Sequence, residues 1–163
     1  MAYIADKYVG DAIRLTVEQN IVLRWVSNAD LPHLYKELNK IWSDEWIYAC
    51  HENSIKEPLS FITLKIAQFD IIILRDRNGV ICSYLNTCNH RGSTLCKESQ
   101  GKLKTPLLSC PYHQWSYNAS NGKLLKTSSF KKPQNFNYLD YDLKKINIKI
   151  WNGLIFLNFE SNI

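Results

Sequence analysis

Three Asn-Gly pairs, Asn78-Gly79, Asn121-Gly122 and Asn152-Gly153, each stand between two strand-like runs. Asn-Gly accepts the positive φ angles that a tight hairpin turn imposes. "IIILRDRNGVICSYLN", "HQWSYNASNGKLLK" and "LKKINIKIWNGLIFLNF" therefore read as three hairpins, the last with Ile146, Ile148 and Ile150 alternating before its turn. "FITLKI" and "FDIIILR" are also rich in strand formers, so the chain from about Phe61 onward is predicted to be mainly β, as an antiparallel sandwich or small barrel. "TSSFKKPQNFNYLD" is the most loop-like stretch. Earlier the pattern is helical. Leu34, Leu38 and Ile41 fall at i, i+4 and i+7 beside Tyr35 and Trp42, with Asp30 as N-cap and Pro32 in the first turn. This predicts a short helix from about Leu31 to Trp42. The expected division is a helical and extended lead-in, 1–57, followed by a β domain, 58–163.

With 163 residues, 45% of them apolar and 21% charged, the chain has the means for one packed core. It contains no apolar run of the roughly 18–20 residues that span a bilayer. "MAYIADKYVGDAIRLTVEQN" carries charges throughout and has no apolar signal-peptide core, so a cytoplasmic protein is expected. The net charge of +5 comes from 20 basic and 15 acidic residues that are scattered, with pairs such as Lys131-Lys132 and Lys144-Lys145 but no long block. That argues against a nucleic-acid or membrane partner and leaves a tilt toward an acidic protein.

Five cysteines, an odd number in a chain without a signal peptide, argue against a disulfide framework and for metal binding. "CNHRGSTLC" contains C-x-H in Cys88 and His90; "CPYHQWSY" contains C-x-x-H in Cys110 and His113, with 19 residues between His90 and Cys110. Both stretches follow strand-like runs. Gly92 permits a tight path in the first, and Pro111 restricts the backbone of the second. One zinc ion accepts two cysteines and two histidines, but usually with the cysteines paired and then the histidines. Here each loop supplies one of each. The mixed order suits a two-iron cluster in which one iron takes both thiolates and the other both imidazoles.

This pattern, C-x-H, a gap, then C-P-Y-H-x-W with Tyr117 two residues on, resembles the Rieske domain of ring-hydroxylating non-haem iron oxygenase α subunits. "SDEWIYACHENSIKEPLSFITLKI", "IIILRDRNGVICSYLNTCNHRGS", "SCPYHQWSYNASNGKLL" and "WNGLIFLNF" look like the family's segments in order, over roughly residues 25 to 160. "CPYHQW" looks most like the branch that oxidises quaternary ammonium compounds such as glycine betaine. The resemblance implies an antiparallel Rieske-type β-sandwich with a cluster-binding subdomain at hairpin tips. It implies one Rieske [2Fe-2S] cluster on Cys88, His90, Cys110 and His113, surrounded by Arg91, Gly92, Tyr112, Trp115 and Tyr117. A flavoprotein or ferredoxin-type reductase would donate electrons, and an oxygenase catalytic domain or subunit would accept them.

In respiratory Rieske proteins a cysteine near position 96 pairs with one inside the second loop. Tyr112 stands at the matching position here, so Cys96 is expected to be a free thiol. Cys50 and Cys82 fit strand cores, Cys50-His51 lacks a partner motif, and His33 fits a helix surface. Family oxygenases also carry an oxygen-activating iron on two histidines and a carboxylate, in a domain that follows. Only His33 and His51 lie outside the cluster motif. No catalytic residue or substrate site is therefore expected in this chain. It reads as an electron-transfer component or as the N-terminal part of an oxygenase α subunit, inert alone, with a zinc-stabilised module as the remaining alternative.

Overall fold

The structure, a computed structural model, describes residues 2–9, 13–15, 21–23, 26–128 and 134–159. They fall into two units, Met1–Ser43 and Asp44–Ile163. The first contains α1 (Ala2–Val9), the antiparallel pair β1 (Ile13–Leu15) and β2 (Ile21–Leu23), and α2 (Leu31–Asp44). The predicted helix is thus present and two residues longer. The Asp30 carbonyl accepts the Leu34 N–H at 2.9 Å, which places Asp30 at the N-cap, and Pro32 occupies the first turn, where a missing N–H is harmless. Leu34 is buried and His33 exposed; the side chains of Ile41 and Trp42 lie outside the described residues.

The second unit holds β3 (Ile47–His51), β4 (Ser60–Ile66), β5 (Phe69–Arg75), β6 (Ile81–Leu85), β7 (Gln100–Lys102), β8 (Leu107–Ser109), β9 (Ser116–Asn118), β10 (Leu124–Lys126), β11 (Asn147–Trp151) and β12 (Leu154–Asn158). They make three antiparallel sheets, ordered β6-β5-β4-β7, β11-β12-β3 and β10-β9-β8. The architecture is mainly β, as expected. β5 explains the layering. Its run Ile71, Ile72, Ile73 and Leu74 is 0% exposed at every position. Successive strand residues point to opposite faces, so such a run needs cover on both. Ile71 and Ile73 enter one core with Cys50, Ile55, Ile146, Ile155 and Leu157. Ile72 and Leu74 enter another with Cys88, Leu108, Cys110, Trp115 and Tyr117. The first core lies under β11-β12-β3. The second carries the two cysteine–histidine stretches.

All three Asn-Gly pairs sit in hairpin turns, between β5 and β6, β9 and β10, and β11 and β12. Only the last takes positive φ at both residues, Asn152 at 48° and Gly153 at 79°. In the first, the Asp76 carboxylate accepts the N–H groups of Asn78 and Val80, each at 2.8 Å, and only Gly79 is left-handed. A side chain does there part of the work that turn geometry does elsewhere.

The expected division lies at residue 57; by contacts Asp44–Ile163 form one compact unit, within which β3 is hydrogen-bonded to β12. In that pairing the neighbours Ile155 and Phe156 face Cys50 and Tyr48, which are two residues apart, so Ala49 bulges. The bulge turns Cys50 inward at 8% exposure and Tyr48 outward at 54%, although strict alternation would give them one face. Cys82 is buried in β6 as expected, and the His51 ring accepts the Asn53 N–H at 3.1 Å, capping a 3-10 turn instead of facing a ligand site. Among the described residues no helix is long and apolar enough to cross a membrane.

Candidate metal centre

The two cysteine–histidine stretches fold as one turn used twice. In the first, the Cys88 N–H donates to the Ser93 carbonyl (2.8 Å) and the Gly92 N–H to the Cys88 carbonyl (2.9 Å). In the second, the Cys110 N–H donates to the Trp115 carbonyl (2.7 Å) and the Gln114 N–H to the Cys110 carbonyl (2.9 Å). Gly92 and Gln114 thus occupy the same station, and both are left-handed, at φ 69° and 59°. Gly92 has no Cβ to oppose this; Gln114 adopts it at a cost of about 1–2 kcal/mol. Gln114→Gly is expected to gain about 1 kcal/mol and Gly92→Ala to lose about the same. An added Cβ at Gly92 would meet nothing within 4 Å, so the backbone alone sets that loss. Urea denaturation of the two variants checks both signs.

The repeated turn buries the cysteines and leaves the histidines nearer solvent. Cys88 and Cys110 are 1% and 3% exposed, while His90 and His113 are half-buried. The imidazoles meet with their Nδ1 atoms 3.1 Å apart. The two thiols interact with each other as well. Burial pushes the Cys88 thiol above its ordinary value, opposed by the Tyr117 hydroxyl and the His90 N–H. Burial acts on Cys110 in the same direction. There the N–H groups of His113 and Tyr112, with the Cys88 and Ser93 side chains, more than offset it and hold the thiol below its ordinary value. Burial, His113 and Arg91 all disfavour protonation of His90. The site therefore stabilises a thiolate at Cys110 and a neutral imidazole at His90, the forms that ligate metals.

This donor set fits a Rieske cluster on its chemistry. It offers two soft sulfurs as one pair and two imidazole nitrogens as another, which is the division one iron–sulfur pair of that type requires.

The surrounding residues named from the sequence fall into place unequally. Tyr117 is fully buried with its hydroxyl 3.1 Å from the Cys88 sulfur. Trp115, 1% exposed, stacks on the His90 ring at 4.4 Å and 9°. Tyr112 is 61% exposed, with its ring 3.9 Å from that of His113. Arg91 is exposed beside His90. Cys96 is a free thiol, as expected.

Other contributors were not visible in the sequence. Asn86, 1% exposed, closes the base of the first loop: its amide donates to the Cys96 carbonyl (2.7 Å) and accepts the Cys96 N–H (2.9 Å). Asp142 ties the first loop to β10, because its carbonyl accepts from the Asn89 side chain and its carboxylate accepts the Leu124 N–H (2.7 Å) at the start of β10. Phe136 and Tyr141 set their rings edge-on to Trp115 at 6.1 and 5.3 Å. Phe136, in the stretch read as loop-like, and Tyr141, just after it, thus wall this side of the site. The position of Asn86 two residues before Cys88 is the one hint that local sequence offered.

Comparison with known proteins agrees with this geometry. The model of the Rieske [2Fe-2S] domain matches residues 45–145. A second model, of the nitrite/sulfite reductase ferredoxin-like half domain, matches residues 1–41, close to the bounds of the first unit. The chain is 33% identical over 135 residues to the anthranilate 1,2-dioxygenase large subunit of Acinetobacter baylyi, covering 80% of this chain and 27% of that one. It is 33% identical over 126 residues to the glycine betaine monooxygenase oxygenase subunit of Pseudomonas aeruginosa, covering 77% and 28%. Among solved structures, a quaternary ammonium Rieske monooxygenase matches with TM-score 0.71 and 26% identity, covering 78% of this chain and 34% of that one. Naphthalene 1,2-dioxygenase from Rhodococcus sp. matches with TM-score 0.69 and 28% identity, covering 79% and 30%. The chain thus spans only about 30% of the length of the relatives and structures it matches. It belongs to the Rieske [2Fe-2S] domain family, whose cofactor is a Rieske-type [2Fe-2S] cluster.

Proposed function

We propose that Cys88 and Cys110 hold one iron of the cluster and His90 and His113 the other, and that the chain relays single electrons. A flavoprotein or ferredoxin-type reductase is the donor in this reading, and a mononuclear iron oxygenase centre located elsewhere is the acceptor. When bound, the cluster supplies a one-electron couple with no change in its protein ligands. The observation that carries the reading is the pairing of donors, two buried thiols and two imidazoles with Nδ1 atoms 3.1 Å apart. The residues divide the work. Tyr117, Ser93 and the turn N–H groups direct hydrogen bonds at the sulfurs, where added negative charge would be stabilised. Trp115, Phe136 and Tyr141 wall off one side of His90. The partly exposed imidazoles are the path for electrons, since they can hydrogen-bond to a carboxylate of the acceptor.

The short coverage of the relatives favours a second reading of the same site, as the N-terminal part of a quaternary-amine or aromatic-ring oxygenase α subunit that is inactive alone. Both readings need the cluster. Protein purified without oxygen is expected to be red-brown, with about two irons and two acid-labile sulfides per chain. A colourless protein holding about one zinc per chain would select the zinc-module alternative instead.

A further inference from the structure

We propose that the cleft between β6 and β11 is a binding site for a short-chain organic carboxylate. Its charged end would lie between Lys145 and Lys149, and its apolar body against Ile81, Ile148 and Trp46. No residue of the two cysteine–histidine loops lines this cleft, so the site stands apart from the relay.

The cleft exists because a ladder stops. Residues 144–146 run antiparallel to β6. The Leu85 N–H donates to the Lys144 carbonyl and the Ile146 N–H to the Ser83 carbonyl, each at 3.0 Å, with Tyr84 opposite Lys145. Backbone groups directed at a neighbouring strand recur every second residue. The next rung would therefore join Ile81 to Ile148. It is not made: β6 and β11 part here and enter different sheets. Ile81 and Ile148 each turn an N–H and a carbonyl toward the gap, where no described residue pairs with them.

The gap measures about 430 Å³, within the range of small-molecule sites, which are mainly apolar with a few placed polar groups. Buried Cys82 and Ile146 form its floor, and Ile81, Ile148 and Trp46 its walls. Lys145 and Lys149 are exposed and four residues apart on an extended run, so both project from one face. The Lys149 ammonium lies 4.4 Å from the Trp46 ring centre. No carboxylate lines the gap. Among the described residues the ion pairs are Lys7–Glu37 and Arg75–Glu52, so neither lysine is neutralised internally. Asp76, whose charge reaches Cys82, is buried and holds the Asn78 and Val80 N–H groups.

A carboxylate with a short chain answers all of these features. One oxygen accepts the Ile148 N–H and the other an ammonium, while a few methylenes cover the isoleucines. A bare anion would leave the apolar walls wet. A neutral chain would leave the cations and the N–H without an acceptor.

The test is titration of the purified, nitrogen-15-labelled protein with hexanoate, followed by amide and indole NMR shifts. Half-saturation is expected on the order of 1 mM, with shifts centred on Ile81, Ile148 and the Trp46 indole. Acetate supplies the charge without the chain, and hexanamide the chain without the charge. Each is expected to bind at least about tenfold more weakly. Lys145→Gln/Lys149→Gln is expected to weaken hexanoate binding at least about tenfold. Lys56→Gln/Lys65→Gln makes the same change in net charge at exposed positions elsewhere and is expected to cost less than about twofold. Acetate or hexanamide binding as tightly as hexanoate, or equal losses in the two double variants, would overturn the site. So would shifts centred outside the cleft, or no shift at concentrations about twentyfold above the expected half-saturation.

Discussion

Cys110→Ser is expected to leave a folded, colourless protein. Cys110 is 3% exposed, and its thiol is the one held below the ordinary value by its neighbours. A serine hydroxyl in its place is far harder to deprotonate and is a poor match for iron that prefers sulfur. Iron content is therefore expected to fall from about two per chain to near zero. The strands need not follow. The core beneath β11-β12-β3 draws on Ile71, Ile73, Ile155 and Leu157, none of which touches the loops, so the far-ultraviolet spectrum is expected to keep its β character. Cys96→Ser is the control. That thiol is pushed up to about 11 by burial, and the contacts of residue 96 with Asn86 run through its backbone. It is expected to retain full colour. Loss of iron in Cys96→Ser, or its retention in Cys110→Ser, would break the assignment.

Gly122→Ala is expected to cost about 3 kcal/mol, roughly three times the loss from Gly79→Ala. Both glycines are left-handed, at φ 74° and 85°. Their surroundings differ. A Cβ at Gly122 would lie 2.7 Å from the Tyr84 ring and 3.3 Å from Leu143, whereas one at Gly79 would meet nothing within 4 Å. The Tyr84 ring cannot yield easily, because it is wholly buried and its hydroxyl donates to the Ala119 carbonyl at 3.1 Å. Gly122 also accepts the Leu143 N–H through its carbonyl at 2.9 Å, next to Asp142. Backbone strain and overpacking therefore add at one position, and only strain acts at the other. Thermal unfolding of the iron-loaded proteins checks the ratio; equal losses would show that the ring gives way.

What could be read in advance was local. The Asn-Gly turns, the α2 N-terminus and the two cysteine–histidine loops each declare themselves within a few residues, because turn chemistry and donor type act at short range. The doubly covered β5 was visible as the apolar run of residues 71–74, but which sheets cover it was not. That depends on pairings such as Ile155 with Cys50, across a hundred residues of chain. The Ala49 bulge was hidden for the same reason: alternation alone would have put Tyr48 and Cys50 on one face. Asn86 and Asp142 look like ordinary polar residues until Cys96, Asn89 and Leu124 arrive from elsewhere. The equivalence of Gly92 and Gln114 was masked because C-x-H and C-x-x-H place the histidine differently within the same turn. The short strands β1 and β2 of the first unit carry three residues each, too few for a periodic signal.

The central claim is that one iron carries both imidazoles and the other both thiolates. Pulsed electron–nuclear spectroscopy of the dithionite-reduced protein labelled with nitrogen-15 histidine tests it directly. The expected result is two strongly coupled histidine nitrogens, both lost together with the cluster when His90 and His113 are replaced. A reduced cluster with no histidine nitrogen coupling, or with only one, would contradict it.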